Sequence, residues 1–116
     1  MERTYTIFLD IDGTLIEHRG KVDEQLSIEN TLDGTLEKLR DWDRKGYNII
    51  LVTGRRESTR KKTEKQLENL NIFYDKLIMG IGGGKRFLIN DKKPDMSDTA
   101  FSINLVRNTG IKNLDI

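Results

Sequence analysis

The chain of 116 residues carries 20 lysines and arginines against 19 aspartates and glutamates, a formal net charge of +1, and no cysteine. This length fits one domain with one core and leaves little over for a second, and near-neutrality excludes a bulk electrostatic drive toward nucleic acid or a membrane surface. The missing thiols exclude disulfides and thiolate metal sites.

Mean hydropathy is −0.60, polar for a folded protein, but the apolar residues gather into segments, which argues for order. No apolar run approaches the roughly 18 residues of a membrane span, and no signal-peptide pattern precedes the first strand. A soluble cytoplasmic protein is expected.

The first strand is read over about Thr4 to Leu9, an apolar run typical of a buried strand. It passes directly into Asp10-Ile11-Asp12-Gly13-Thr14. Two carboxylates leaving water together are costly unless something pairs them, and the simplest partner is a divalent cation. Gly13 permits the tight turn and the close backbone approach that a phosphate or metal needs.

Ile16 to Thr31 lacks periodicity and reads as an extended surface loop with room for a short hairpin or helical turn. A helix is expected from about Asp33 to Lys45, because Leu32, Leu36, Leu39 and Trp42 fall on one face and Gly46 stops it. Tyr47 to Val52 is a second strand, broken by Thr53-Gly54-Arg55. A second helix is expected from about Glu57 to Leu70, and a third strand from Lys76 to Met79. Gly80 to Gly84 reads as a flexible loop. Arg86 to Ile89 is taken as a short fourth strand ended by Asn90-Asp91, and Ala100 to Val106 as a last strand or helix.

Strand and helix in alternation predict a single α/β domain over residues 1–116, a parallel sheet with helices on both faces. Right-handed crossovers set all strand C-termini on one edge, where ligands of open α/β sheets bind. Asp10 and Asp12, Thr53 and Gly54, and Asp91 all fall on that edge.

These residues resemble a known family. Asp10-Ile11-Asp12-Gly13-Thr14, Thr53-Gly54-Arg55 and Asp91 look like motifs I, II and IV of the haloacid dehalogenase (HAD) superfamily of phosphohydrolases, and the resemblance runs from Thr4 to about Asp95. It implies a Rossmann-like sheet with the first strand central, Mg2+ as cofactor and an aspartyl-phosphate intermediate. Asp10 would be the nucleophile, and Asp12 the acid and base, with its carbonyl on the metal. Asp10, Asp12 and Asp91 would hold Mg2+, while Gly13, Thr53 and Gly54 would hold the phosphate.

The third-motif lysine is the departure. Lys76, Lys85 and the substitute cation Arg86 are candidates, and Lys85, six residues before Asp91, is chosen as the catalytic and phosphate-binding cation. Lys92 follows Asp91 where relatives often carry a second acid, and Asp95 is either a helper of the metal or a surface residue. There is no room for a cap domain, so the pocket is either open to a large substrate or closed by a second copy of the chain.

Tyr74 to Gly80 and Leu88 to Pro94 further resemble small HAD proteins of capsule and surface-sugar biosynthesis, which points to a sugar phosphate. Two readings stand beside this one: a phosphatase of nucleic-acid ends, and a non-catalytic module that binds a phosphorylated partner.

Blander readings apply to other features. Asp-x-Asp-Gly also opens calcium loops, but those continue with spaced acids and close on a glutamate, and Thr14-Leu15-Ile16 does not. His18, the lone histidine, reads as a surface loop residue. Arg55, Arg56, Arg60, Lys61 and Lys62 could follow a nucleic-acid backbone, but interleaved Glu57, Glu64 and Glu68 favour a solvated, salt-bridged helix face.

Overall fold

The computed structural model describes residues 4–116; Met1–Arg3 lie outside the described residues. In chain order the elements are β1 (Thr6–Asp10), α1 (Val22–Leu26), α2 (Thr35–Arg44), β2 (Asn48–Val52), a 3₁₀ turn (Glu57–Thr59), α3 (Arg60–Asn69) and β3 (Lys76–Ile78). The strands form a parallel sheet in the order β1-β2-β3. The register pairs Asp10 with Val52 and Val52 with Ile78, so all three strands end level. The α/β parallel class expected from the sequence therefore holds, and no cap domain interrupts it among the described residues.

Strand alternation decides which side is covered. Ile7 and Leu9 of β1 lie opposite Ile49 and Leu51 of β2 in the register, and all four join the core with Leu39 and Trp42 of α2 and Leu67 of α3. Phe8, on the opposite face, is 52% exposed. Cover on both faces is thus incomplete at β1.

Helix α2 begins within two residues of its expected start. Gly34 takes a left-handed φ of 84° at its N-cap, and a Cβ there would run into the Lys112 backbone, so glycine is required. The buried Thr35 hydroxyl donates to the Leu15 carbonyl at 3.0 Å. Gly46, also left-handed, ends the helix as expected. At the start of α3, Arg60 forks onto Glu57 of the preceding 3₁₀ turn at 2.7 and 2.8 Å, which holds the Glu57 carboxyl below its ordinary range.

Two expectations fail downstream of β3. Arg86–Ile89 forms no ladder, and Ala100–Val106 forms neither strand nor helix. From Gly80 to Thr109 every residue except Ala100 is exposed, including Phe87 at 84% and Ile89 at 89%. A three-residue apolar run with a glycine-rich loop before it and a polar stretch ending at Pro94 after it is poorly placed to order itself as a strand. β1 consequently lies at the edge of the described sheet rather than at its centre.

Trp42 is the largest fully buried side chain, and its Nε1–H is the buried side-chain polar atom left without a partner among the described residues. Trp42→Ala is expected to cost about 3–5 kcal/mol by loss of packing. Trp42→Phe should cost clearly less, since it also removes an unpaired donor. Urea titration of the three proteins checks both.

Candidate active site

The loop after β1 is locked by its own backbone. The Ile11 carbonyl accepts the amides of Thr14, Leu15 and Ile16 at 3.2, 2.9 and 3.2 Å, and the Gly13 amide donates to Ile16 at 2.7 Å. Ile11, Leu15 and Ile16 are fully buried, so apolar side chains anchor the loop while Asp10 and Asp12 stay near the surface. Gly13 adopts a φ of 91°, as the expected tight turn demands.

Each carboxylate has a guanidinium. Arg55 grips Asp12 with Nε on Oδ2 at 2.9 Å and Nη2 on Oδ1 at 2.7 Å, and both side chains are largely buried. Arg86 reaches Asp10 Oδ1 at 3.1 Å across a half-exposed gap. Thr14 Oγ1 lies 3.5 Å from the other Asp10 oxygen. Arginine thus pairs both carboxylates among the described residues.

The level strand ends bring the second motif to this loop. Thr53 is buried, and its Oγ1 accepts the Arg55 amide at 3.1 Å. Gly54 is exposed, and a Cβ there would meet the Gly82 carbonyl at 3.0 Å, because the glycine loop lies against it. The Gly80 amide donates to Arg55 at 2.8 Å, and the Ile81 amide to Thr53 at 3.3 Å. That loop is packed on the second motif rather than serving as a loose connector.

Asp10, Asp12, Gly13, Thr53 and Gly54 are thus gathered at one edge. Lys85 makes no ion pair or side-chain hydrogen bond among the described residues, and the cation on Asp10 is its neighbour Arg86. Lys76 is exposed at the start of β3. Asp91 lies in the exposed segment, where its carbonyl accepts the Thr99 hydroxyl at 2.6 Å. No group of three histidine, cysteine or acidic side chains fit to hold a metal occurs among the described residues, so Asp91 is not joined to Asp10 and Asp12 as such a cluster. Asp95 accepts the Ser97 hydroxyl and amide at 2.6 and 2.9 Å, which holds its carboxyl below the usual range and gives it a local turn role.

Three contributions were missed from sequence. Arg55 stands in the second motif and in the basic cluster, but its side chain was assigned no partner, although a guanidinium straight after Thr53-Gly54 was a signal for a carboxylate. Asn108 and Arg107 carried no signal. The Asn108 amide donates to the Gly13 carbonyl at 2.9 Å, and its side-chain Oδ1 accepts the His18 amide at 2.7 Å. The Arg107 stem crosses Gly13, its Cγ 3.1 Å from where a Cβ would stand.

Comparison with known proteins places this geometry. The family model of the polynucleotide kinase PNKP phosphatase domain, a HAD family, matches residues 4–97. The chain belongs to that HAD family. It is also 37% identical over 70 residues to the D-glycero-beta-D-manno-heptose-1,7-bisphosphate 7-phosphatase of Salmonella typhi, a match covering 60% of this chain and 37% of that protein. No solved structure gives a significant match. Among the described residues of this HAD-family chain no helix is long and apolar enough to cross a membrane.

Asn108 holds a left-handed φ of 65° while its side chain binds the loop. Asn108→Ala is expected to cost about 1–3 kcal/mol from the lost bond and the strained backbone together. Asn108→Gly should cost less, because glycine relieves the strain. Chemical denaturation ranks the two, and amide exchange at His18 should accelerate in both.

Proposed function

We propose that this chain is a Mg2+-dependent phosphomonoester hydrolase working through an aspartyl-phosphate on Asp10, with a small phosphorylated metabolite such as a sugar phosphate as substrate. The observation that carries the reading is the Asp10–Asp12 pair on a rigid loop, level with Thr53 and Gly54, in a chain of the HAD family. The Salmonella typhi relative, named for a heptose bisphosphate, supports the sugar-phosphate class. Phosphoryl transfer needs positioning and charge neutralisation above all.

In the first half-reaction an Asp10 oxygen attacks phosphorus as the bond to the leaving oxygen breaks, and Asp12 gives that oxygen a proton. In the second, water attacks the phosphorus, Asp12 takes the water's proton, and the Asp10–phosphorus bond breaks to release inorganic phosphate. Arg86, already 3.1 Å from Asp10, takes the charge-shielding role first given to Lys85. Thr53 Oγ1 donates no hydrogen bond among the described residues, and with the Gly13 and Gly54 backbone it would hold phosphate oxygens. The Asp10 carboxylate and the Asp12 carbonyl would hold Mg2+, a hard ion that takes oxygen donors and keeps waters, while the exposed Asp91 stands apart from them and is left out of that set. When bound, the ion would supply neutralisation of phosphoryl charge. A cytoplasmic setting belongs to the same reading, and a second copy could close the capless pocket.

A second reading, hydrolysis at nucleic-acid ends, has a specific observation behind it. Lys61, Lys62 and Lys65 of α3 face Leu26–Glu29 across a groove, and none of them pairs with an acid among the described residues. The salt-bridged face expected on this helix is carried by Arg60. The name of the matched family points the same way.

Wild type should release phosphate from 4-nitrophenyl phosphate with Mg2+ and stop on chelation, while Asp10→Asn should lose at least about 1,000-fold, roughly 4 kcal/mol of transition-state stabilisation. Sugar phosphates tested beside a 3′-phosphorylated oligonucleotide then separate the two substrate classes. A folded wild type that binds Mg2+ without turnover would instead favour a binding module.

A further inference from the structure

Resting on the hydrolase reading, we infer that Arg55 is the positioning residue for the general acid, tuning proton delivery to the leaving group rather than phosphate binding. Its guanidinium is engaged on every nitrogen. Nε and Nη2 hold the two Asp12 oxygens, while Nη1 donates to Thr63 Oγ1 at 3.2 Å and to Gln66 Oε1 at 2.8 Å. Thr63 is fully buried and Gln66 is 6% exposed. The Gln66 amide in turn donates to the carbonyls of Gln25 and Ile28 at 2.8 and 3.1 Å. The fork is therefore bolted to α3 and to the loop carrying α1 before it meets Asp12.

A planar fork fixes a carboxylate's plane as well as its place. Each Asp12 oxygen retains a lone-pair direction beyond the one Arg55 occupies, and those directions are set by the plane. Acid catalysis depends on such alignment to fractions of an ångström. Arg55 touches neither Asp10 nor the Gly13 turn through any hydrogen bond of its side chain. Its loss should thus fall on the proton and spare the nucleophile.

The test is single-turnover phosphoryl transfer from phenyl, 4-nitrophenyl and 2,4-dinitrophenyl phosphate, which share a shape and differ in how much the leaving oxygen needs a proton. Wild type, Asp12→Asn, Arg55→Lys and Arg55→Met are compared, with Lys keeping the charge without the fork should Met fail to fold. Both Arg55 variants should lose about 100-fold on phenyl phosphate and under about 10-fold on the dinitrophenyl ester, the same skew as Asp12→Asn, since acid–base help is worth about 100- to 10,000-fold. A uniform loss along the series would reduce Arg55 to a structural ion pair and overturn the inference. Silence of wild type toward all three esters would remove the hydrolase reading itself, and this role with it.

Discussion

The charge of Asp10 and Asp12, set side by side on one loop, is the constraint around which the site is arranged. Two carboxylates at the end of a buried strand must be compensated, and each is met by its own guanidinium. The two pairs are unlike. Asp12–Arg55 is bidentate and largely buried, with its arginine also bonded to Thr63 and Gln66 of α3. Asp10–Arg86 is single-point, half-exposed, and carried by an irregular segment. A buried fork is geometry, whereas an exposed contact on a mobile-length side chain is screened and exchangeable. The division suits a site in which one carboxylate must hold its orientation and the other must be freed to attack.

How much of this the sequence disclosed follows from the range of each interaction. Helix α2 was legible because its apolar stripe and its glycine stop are local signals, and β2 because a run of apolar residues is broken by Thr53-Gly54. The catalytic loop was legible because its motif is contiguous. The identity of the cation on Asp10 was not. Successive side chains on an extended segment point to opposite sides, so one residue of register separates Lys85 from Arg86. The Asn108 bond to His18 spans 90 positions and has no local signature at all.

The unformed fourth strand belongs to the same lesson. Phe87-Leu88-Ile89 has strand composition, and β1 offers a free edge, yet no ladder forms between them. Composition favours a strand only where a partner and favourable flanks agree with it. Here the segment instead leaves Thr53 and Arg55 through the glycine loop, crosses Asp10 once at Arg86, and returns at Asn108. Departure, crossing and return all touch the site.

The return contact has a consequence for the order of assembly. Ile111 is fully buried in the core, its amide donates to Asp33 at 2.9 Å, and from that anchor Asn108 reaches back to Gly13. Contacts of long sequence separation carry the largest loop-closure entropy and tend to consolidate late. The sheet and α2 can therefore organise first, with the loop of Asp10 and Asp12 tightened only as the last segment docks. Catalytic competence then becomes a reporter of complete folding: in a refolding time course, helical signal should return before protection of the Gly13 turn.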